Sequence, residues 1–84
     1  MLKFKKEKHE IFGGIEVWFT VEKSDQDLYP FQIVAAREGI KFRGESPVLM
    51  DIADLDTFAK TLSLAWRESE RLRPKLVSPA EASH

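Results

Sequence analysis

The sequence predicts an α+β fold. In this small two-layer domain an antiparallel sheet of three to five strands is covered on one face by one C-terminal amphipathic helix. Three observations carry this expectation. Residues 54–73 hold the longest stretch in which apolar groups recur at three- and four-residue spacing, the mark of a helix. Residues 15–22 alternate strictly, with Ile15, Val17, Phe19 and Val21 opposite Glu16, Trp18, Thr20 and Glu22, the mark of a half-buried strand. A chain of 84 residues makes one domain, and its strands and helix bury their apolar faces by stacking.

Within the helix, Leu55, Phe58, Ala59, Leu62, Ala65, Trp66, Ser69 and Leu72 form the stripe expected to meet the sheet. Asp56, Thr57, Lys60, Thr61, Arg67, Glu68, Glu70 and Arg71 form the opposite side. Asp54 is the expected N-cap, since its carboxylate can accept a first-turn N–H; Asp51 takes that role if the helix begins earlier. Acidic groups at the start and Arg67, Arg71 and Arg73 at the end suit the helix dipole. Pro74 disfavours the helical conformation at Arg73 and ends the segment.

The strands come in order. Residues 2–11 alternate loosely and are rich in lysine, which suits a sheet edge. Phe12-Gly13-Gly14 reads as a hairpin turn into residues 15–22. Residues 23–30 are polar and end in Tyr29-Pro30, a loop. Residues 31–37 place Phe31, Ile33 and Ala35 opposite Gln32, Val34 and Ala36. Glu38-Gly39 turns the chain into residues 40–43, with Ile40 and Phe42 inward and Lys41 and Arg43 outward. Gly44 to Pro47 is a further turn, and Val48 to Ile52 is either a last strand or a lead-in to the helix. The domain is expected over residues 1–77, with 78–84 a flexible tail.

Composition narrows the function classes. Apolar residues make up 43% and charged residues 32%, ordinary for a soluble globular domain. Cysteine is absent, which removes disulfides and thiolate metal sites. The lysine-rich start does not read as a signal peptide, and no apolar run reaches the roughly 20 residues of a membrane span, so a cytoplasmic location is expected. The net charge of −1 argues against a strong general nucleic-acid binder. It is unevenly spread: residues 1–10 and 37–43 each carry a surplus of two positive charges, and residues 20–30 a deficit of two.

No catalytic pattern stands out, and an enzyme is not expected. Asp51, Asp54 and Asp56 lack the glycine and later glutamate of a calcium loop and read as capping residues. His9 and His84 lack metal-ligand spacing, so no metal and no cofactor are expected. No serine lies in a nucleophile turn, and Gly13-Gly14 lacks the spacing of a phosphate loop.

The expected function is a non-catalytic binding module that meets a protein partner or a second copy of itself, through the outer sheet face or an edge strand. Its interface candidates are Trp18, Val34, Tyr29 and Leu64. Leu64 lies opposite the core stripe on a charged helix face, while Trp18, Val34 and Ala36 point away from the helix. The alternative is single-stranded nucleic acid held on a basic, aromatic sheet face by Lys3, Lys5, Trp18, Arg37, Lys41 and Arg43. Against both stands a solvated outer face on which lysine and arginine stems cover Trp18. The strands-then-helix order is similar in layout alone to small single-strand-DNA-binding coactivator domains.

Overall fold

In the computed structural model, which describes residues 1–22 and 30–74, four strands precede one helix. The elements are β1 (Phe4–Ile11), β2 (Gly14–Val21), β3 (Gln32–Ala36), β4 (Gly39–Arg43) and α1 (Ile52–Leu72). All neighbours pair antiparallel in the order β1-β2-β3-β4, so the sheet is a meander with β1 and β4 at its edges. The expected α+β architecture is the one found. Val48 to Met50 are exposed and outside any strand, so this stretch is the lead-in to α1. Tyr29 and the segment 75–84 lie outside the described residues.

The register sorts side chains to two faces. Val17 pairs with Ala35, and Phe19 with Ile33, which itself pairs with Phe42. These residues face α1. The core is Leu2, Val17, Phe19, Val21, Phe31, Ile33, Ala35 and Ala65, with Phe4, Ile40, Phe58, Leu62 and Leu72 packed around it. Phe31 stacks on Phe58 at 5.9 Å and on Phe42 at 5.7 Å, and Phe4 meets both Phe31 and Phe58 edge-on. Such aromatic pairs add about 0.5–1.5 kcal/mol each beyond the area they bury. Gly44 has φ +79°, and a Cβ there would lie 2.8 Å from the Pro30 carbonyl oxygen. Only glycine fits the point where the chain leaves β4 and passes under Pro30 and Phe31.

The helix starts earlier than the Asp54 cap predicts. Asp51 is the N-cap, and its carboxylate accepts the Asp54 amide at 2.9 Å. Asp54 instead turns inward. Its two carboxylate oxygens accept the Leu2 amide at 2.9 Å and the Met50 amide at 3.0 Å. One buried carboxylate thus ties the chain start, the lead-in and the first helical turn together. At the other end Ser69 Oγ donates to the Ala36 carbonyl at 2.6 Å, fixing the last turns of α1 over β3.

Hydrogen bonds from the Met50 and Leu2 amides hold the Asp54 carboxyl below its ordinary value. A depressed folded value stabilises the fold above the unfolded aspartate value, about 3.9, and that stability is lost as pH falls through the folded value. Acid unfolding followed by circular dichroism should therefore show Asp54→Asn less stable than the parent at pH 7, with the gap closing below about pH 4. Parallel acid limbs in the two proteins would rule this role out.

The helix stripe also divides differently from expectation. Asp54, Thr61, Ala65 and Ser69 are buried, so Thr61 faces the sheet rather than solvent. Leu55, Ala59 and Trp66, expected in the core, are exposed.

Candidate functional site

Two surfaces gather the residues that sequence singles out: the outer face of the sheet and one flank of α1. On the outer face the register brings together Glu7, Trp18, Val34 and Lys41, one from each strand in order. Lys5, Thr20, Gln32 and Arg43 form the adjacent row. Of the expected basic-aromatic face, Lys5, Trp18, Lys41 and Arg43 come together while Lys3 and Arg37 do not, and the four are already matched to neighbouring groups. The His9 ring stacks on Trp18 at 3.7 Å, and the Arg43 guanidinium lies over the same indole at 5.0 Å.

Glu16 organises this cluster, and its position on an apparently polar strand face concealed that role. It is 3% exposed. Its Oε1 accepts from Trp18 Nε1 at 3.0 Å and from Arg43 at 3.0 Å, and its Oε2 meets Lys41 Nζ at 3.2 Å. Burial works to raise the Glu16 value, yet hydrogen bonds from Trp18 and Lys41 and the charges of Lys41 and Arg43 outweigh it, so the carboxyl is held below the ordinary range. Lys5 pairs with Glu7 at 2.7 Å, and Lys41 also reaches Glu38 at 3.5 Å.

The candidates scatter accordingly. Val34 is fully buried and Ala36 is 3% exposed, so the expectation that they lie open on the outer face is corrected. Val34 sits between Trp18 and Lys41 in the register, where larger neighbours cover it. Trp18 is half-buried. Lys3 is exposed beyond the start of β1, with its carbonyl bonded to the Glu22 amide. Arg37 is exposed in the β3–β4 turn, away from the Trp18 rows, and its carbonyl accepts Arg73 Nε at 3.1 Å. Leu64 is exposed on α1, as its position opposite the stripe predicts.

The second surface takes four residues of the predicted stripe and adds Ile52, which lies before it. Ile52, Leu55, Ala59, Leu62 and Trp66 are spaced three, four, three and four residues apart. This alternation is a seam that runs beside the line Asp54, Phe58, Thr61, Ala65 and Ser69 that meets the sheet, and Leu62 borders both. Lys6 on β1 bonds Glu68 at 3.2 Å, so that side of α1 looks toward β1. At 100° per residue Leu55, Leu62 and Trp66 lie on the other side, toward β4. Ile52 is 71% exposed, Leu55 48% and Trp66 46%, the last with Arg73 over its ring at 4.8 Å. Phe42 on the β4 edge is 55% exposed and adds to the same corner. Met50, in the lead-in, is also exposed, but it lines a cleft with Leu2, Val21 and Val48 rather than the β4 corner.

A third feature lies at the β1–β2 turn, where Phe12 stands fully exposed beside an open cleft of about 540 Å³. Its charged lining, Glu16, Arg37, Glu38 and Lys41, carries both signs in equal number. Among the described residues no three histidines, aspartates or glutamates gather as a metal site, and no helix is long and apolar enough to cross a membrane. No family model matches the chain, and neither curated proteins nor solved structures provide a match.

Proposed function

We propose that the chain is a non-catalytic protein-contact module, and that its working surface is the exposed flank of α1 together with the β4 edge. The observation that carries this reading is the apolar seam from Ile52 to Trp66, in which Ile52, Leu55 and Trp66 are 46–71% exposed beside Phe42. Phe42, Ile52, Leu55 and Trp66 leave apolar surface on the order of 400 Å² along this side, within the range of a monomer's largest patch, which is often a functional one. β4 is short and ends the sheet, so its outer backbone groups add a polar rim to the apolar corner. β1, the other edge, is guarded by Lys5, Lys6 and Lys8.

The outer sheet face supports nucleic-acid binding less well. A base stacking on Trp18 must displace His9 or Arg43, and a phosphate must compete with Glu16 and Glu7 for the cations.

A photo-crosslinking residue tests the choice between surfaces. Placed at Leu55 in the full chain and irradiated in the producing cells, it should yield adducts larger than one chain. The same residue at Trp18 should yield none above background. Adducts from position 18 and none from position 55 would overturn the reading.

A further inference from the structure

We infer that the occupant of the α1 flank is a second copy of this chain, its helix lying antiparallel against the first across a two-fold axis. The inference rests on the reading that this flank is the contact surface. It adds the partner and the direction of pairing.

Three features favour a copy over an unrelated protein. The first is periodicity. Alternating three- and four-residue spacing of Ile52, Leu55, Ala59, Leu62 and Trp66 is the pattern by which one helix packs along another of the same kind. The sheet takes Ala65 and Ser69 and touches the seam only through one side of the half-buried Leu62; Ile52, Leu55, Ala59 and Trp66 stay exposed. A two-fold interface needs a patch that complements itself, and this one does when reversed. With the axis between Ala59 and Leu62, the small Ala59 meets the partner's Leu62, and Leu55 meets the partner's Trp66. Large faces small at the centre, so the two helices can approach closely.

The second is charge. The exposed side of α1 is acidic at its start, with Asp51 and Asp56, and basic at its end, with Arg67, Arg71 and Arg73. Asp56 and Arg67 form no ion pair among the described residues. Antiparallel packing sets Asp56 beside the partner's Arg67, twice by symmetry. Parallel packing sets like ends together. The helix dipoles favour the antiparallel choice for the same reason. Glu70 is the one acid at the basic end of this side. In the reversed register it approaches the partner's first helical turn, where free backbone N–H groups favour a carboxylate.

The third is area. A stable interface needs roughly 800 Å² from each partner. Phe42, Ile52, Leu55 and Trp66 supply about half of that, on the order of 400 Å², and Ala59, the open side of Leu62 and the flanking charges add to it.

The chain has no cysteine, which makes single-cysteine variants of the full chain a clean test. Each variant is first checked for an unchanged thermal transition, then oxidised mildly and separated without reductant. A disulfide needs Cα atoms about 4.4–6.8 Å apart. Ala59→Cys lies near the axis and should give roughly ten-fold more disulfide dimer than Leu55→Cys alone, whose two copies are offset by about 16 Å along the helix. Mixing Leu55→Cys with Trp66→Cys should restore crosslinking. Equal crosslinking at positions 55, 59 and 66 alone would indicate parallel packing and overturn the proposed direction. Absence of crosslinking at every position, while a photo-crosslinker at Leu55 captures a different protein, would overturn self-pairing and leave the contact surface standing. Absence of both would remove the contact surface as well.

Discussion

Ile33→Ala lowers the stability of the folded chain by about 2–5 kcal/mol, the range for deleting a large aliphatic group in a sealed core. Ile33 has no exposed surface. It lies on β3, an inner strand, between Phe19 on one neighbour and Phe42 on the other, within the cluster that includes Ala65 of the helix. The walls of that site are strands and a helix held at both ends, so they cannot collapse far into the space left behind. A domain of this size holds roughly 4–12 kcal/mol in total. The substitution therefore costs a large share of the fold, with a fall in Tm of roughly 10–30 °C. Thermal or urea unfolding followed by circular dichroism measures it. A loss under about 1 kcal/mol would mean that the sheet and helix do not meet at Ile33 as described.

Leu55→Glu has the opposite signature. The side chain is 48% exposed on the first turns of α1, where an added carboxylate suits the helix dipole. Folding stability is expected to stay within about 0.5 kcal/mol of the parent. Association is expected to weaken by roughly 100-fold or more. Each copy loses the burial of the exposed half of a leucine, worth about 0.7–1.5 kcal/mol, and places a charge in the apolar corner, which adds a desolvation cost of its own. Sedimentation velocity at several concentrations separates these effects, with the thermal transition as the control. Val34→Glu, by contrast, places a charge at a fully buried position and should unfold the chain. The pair of variants distinguishes surface from core for two residues whose places are the reverse of the sequence expectation.

Much of the fold was legible. Strict alternation over residues 15–22 and the glycine pair at 13 and 14 specify a strand and its hairpin, and both depend on local backbone preferences. The helix and its stop at Pro74 follow from periodicity and steric restriction. The exposed position of Leu64 followed from helical geometry alone.

What escaped depends on which neighbour a face meets. Asp54 looks like a cap in sequence, because capping is what an aspartate before an apolar run most often does. Its actual partners include the Leu2 amide, 52 residues away, which no local pattern reveals. Val34 looks outward by alternation, and it does point outward; its burial comes from Trp18 and Lys41 on the adjacent strands. Glu16 follows the same logic, since its role needs Arg43 and Lys41 from β4.

The α1 flank escaped for a different reason. The stripe of Leu55, Phe58, Ala59, Leu62, Ala65, Trp66, Ser69 and Leu72 is wider than one sheet contact can cover. Counting it as one face hid a second seam within it. The three-four alternation starting from Ile52 is the sequence signal that separates the two.

The most direct test is static light scattering of the full chain over a dilution series from the low micromolar to the high micromolar range. Self-pairing through α1 predicts a mass that rises toward that of two chains with concentration in the parent, and that stays at one chain in Leu55→Glu over the same range. A parent that remains at the mass of one chain throughout, or a Leu55→Glu variant that dimerises as well as the parent, would contradict it.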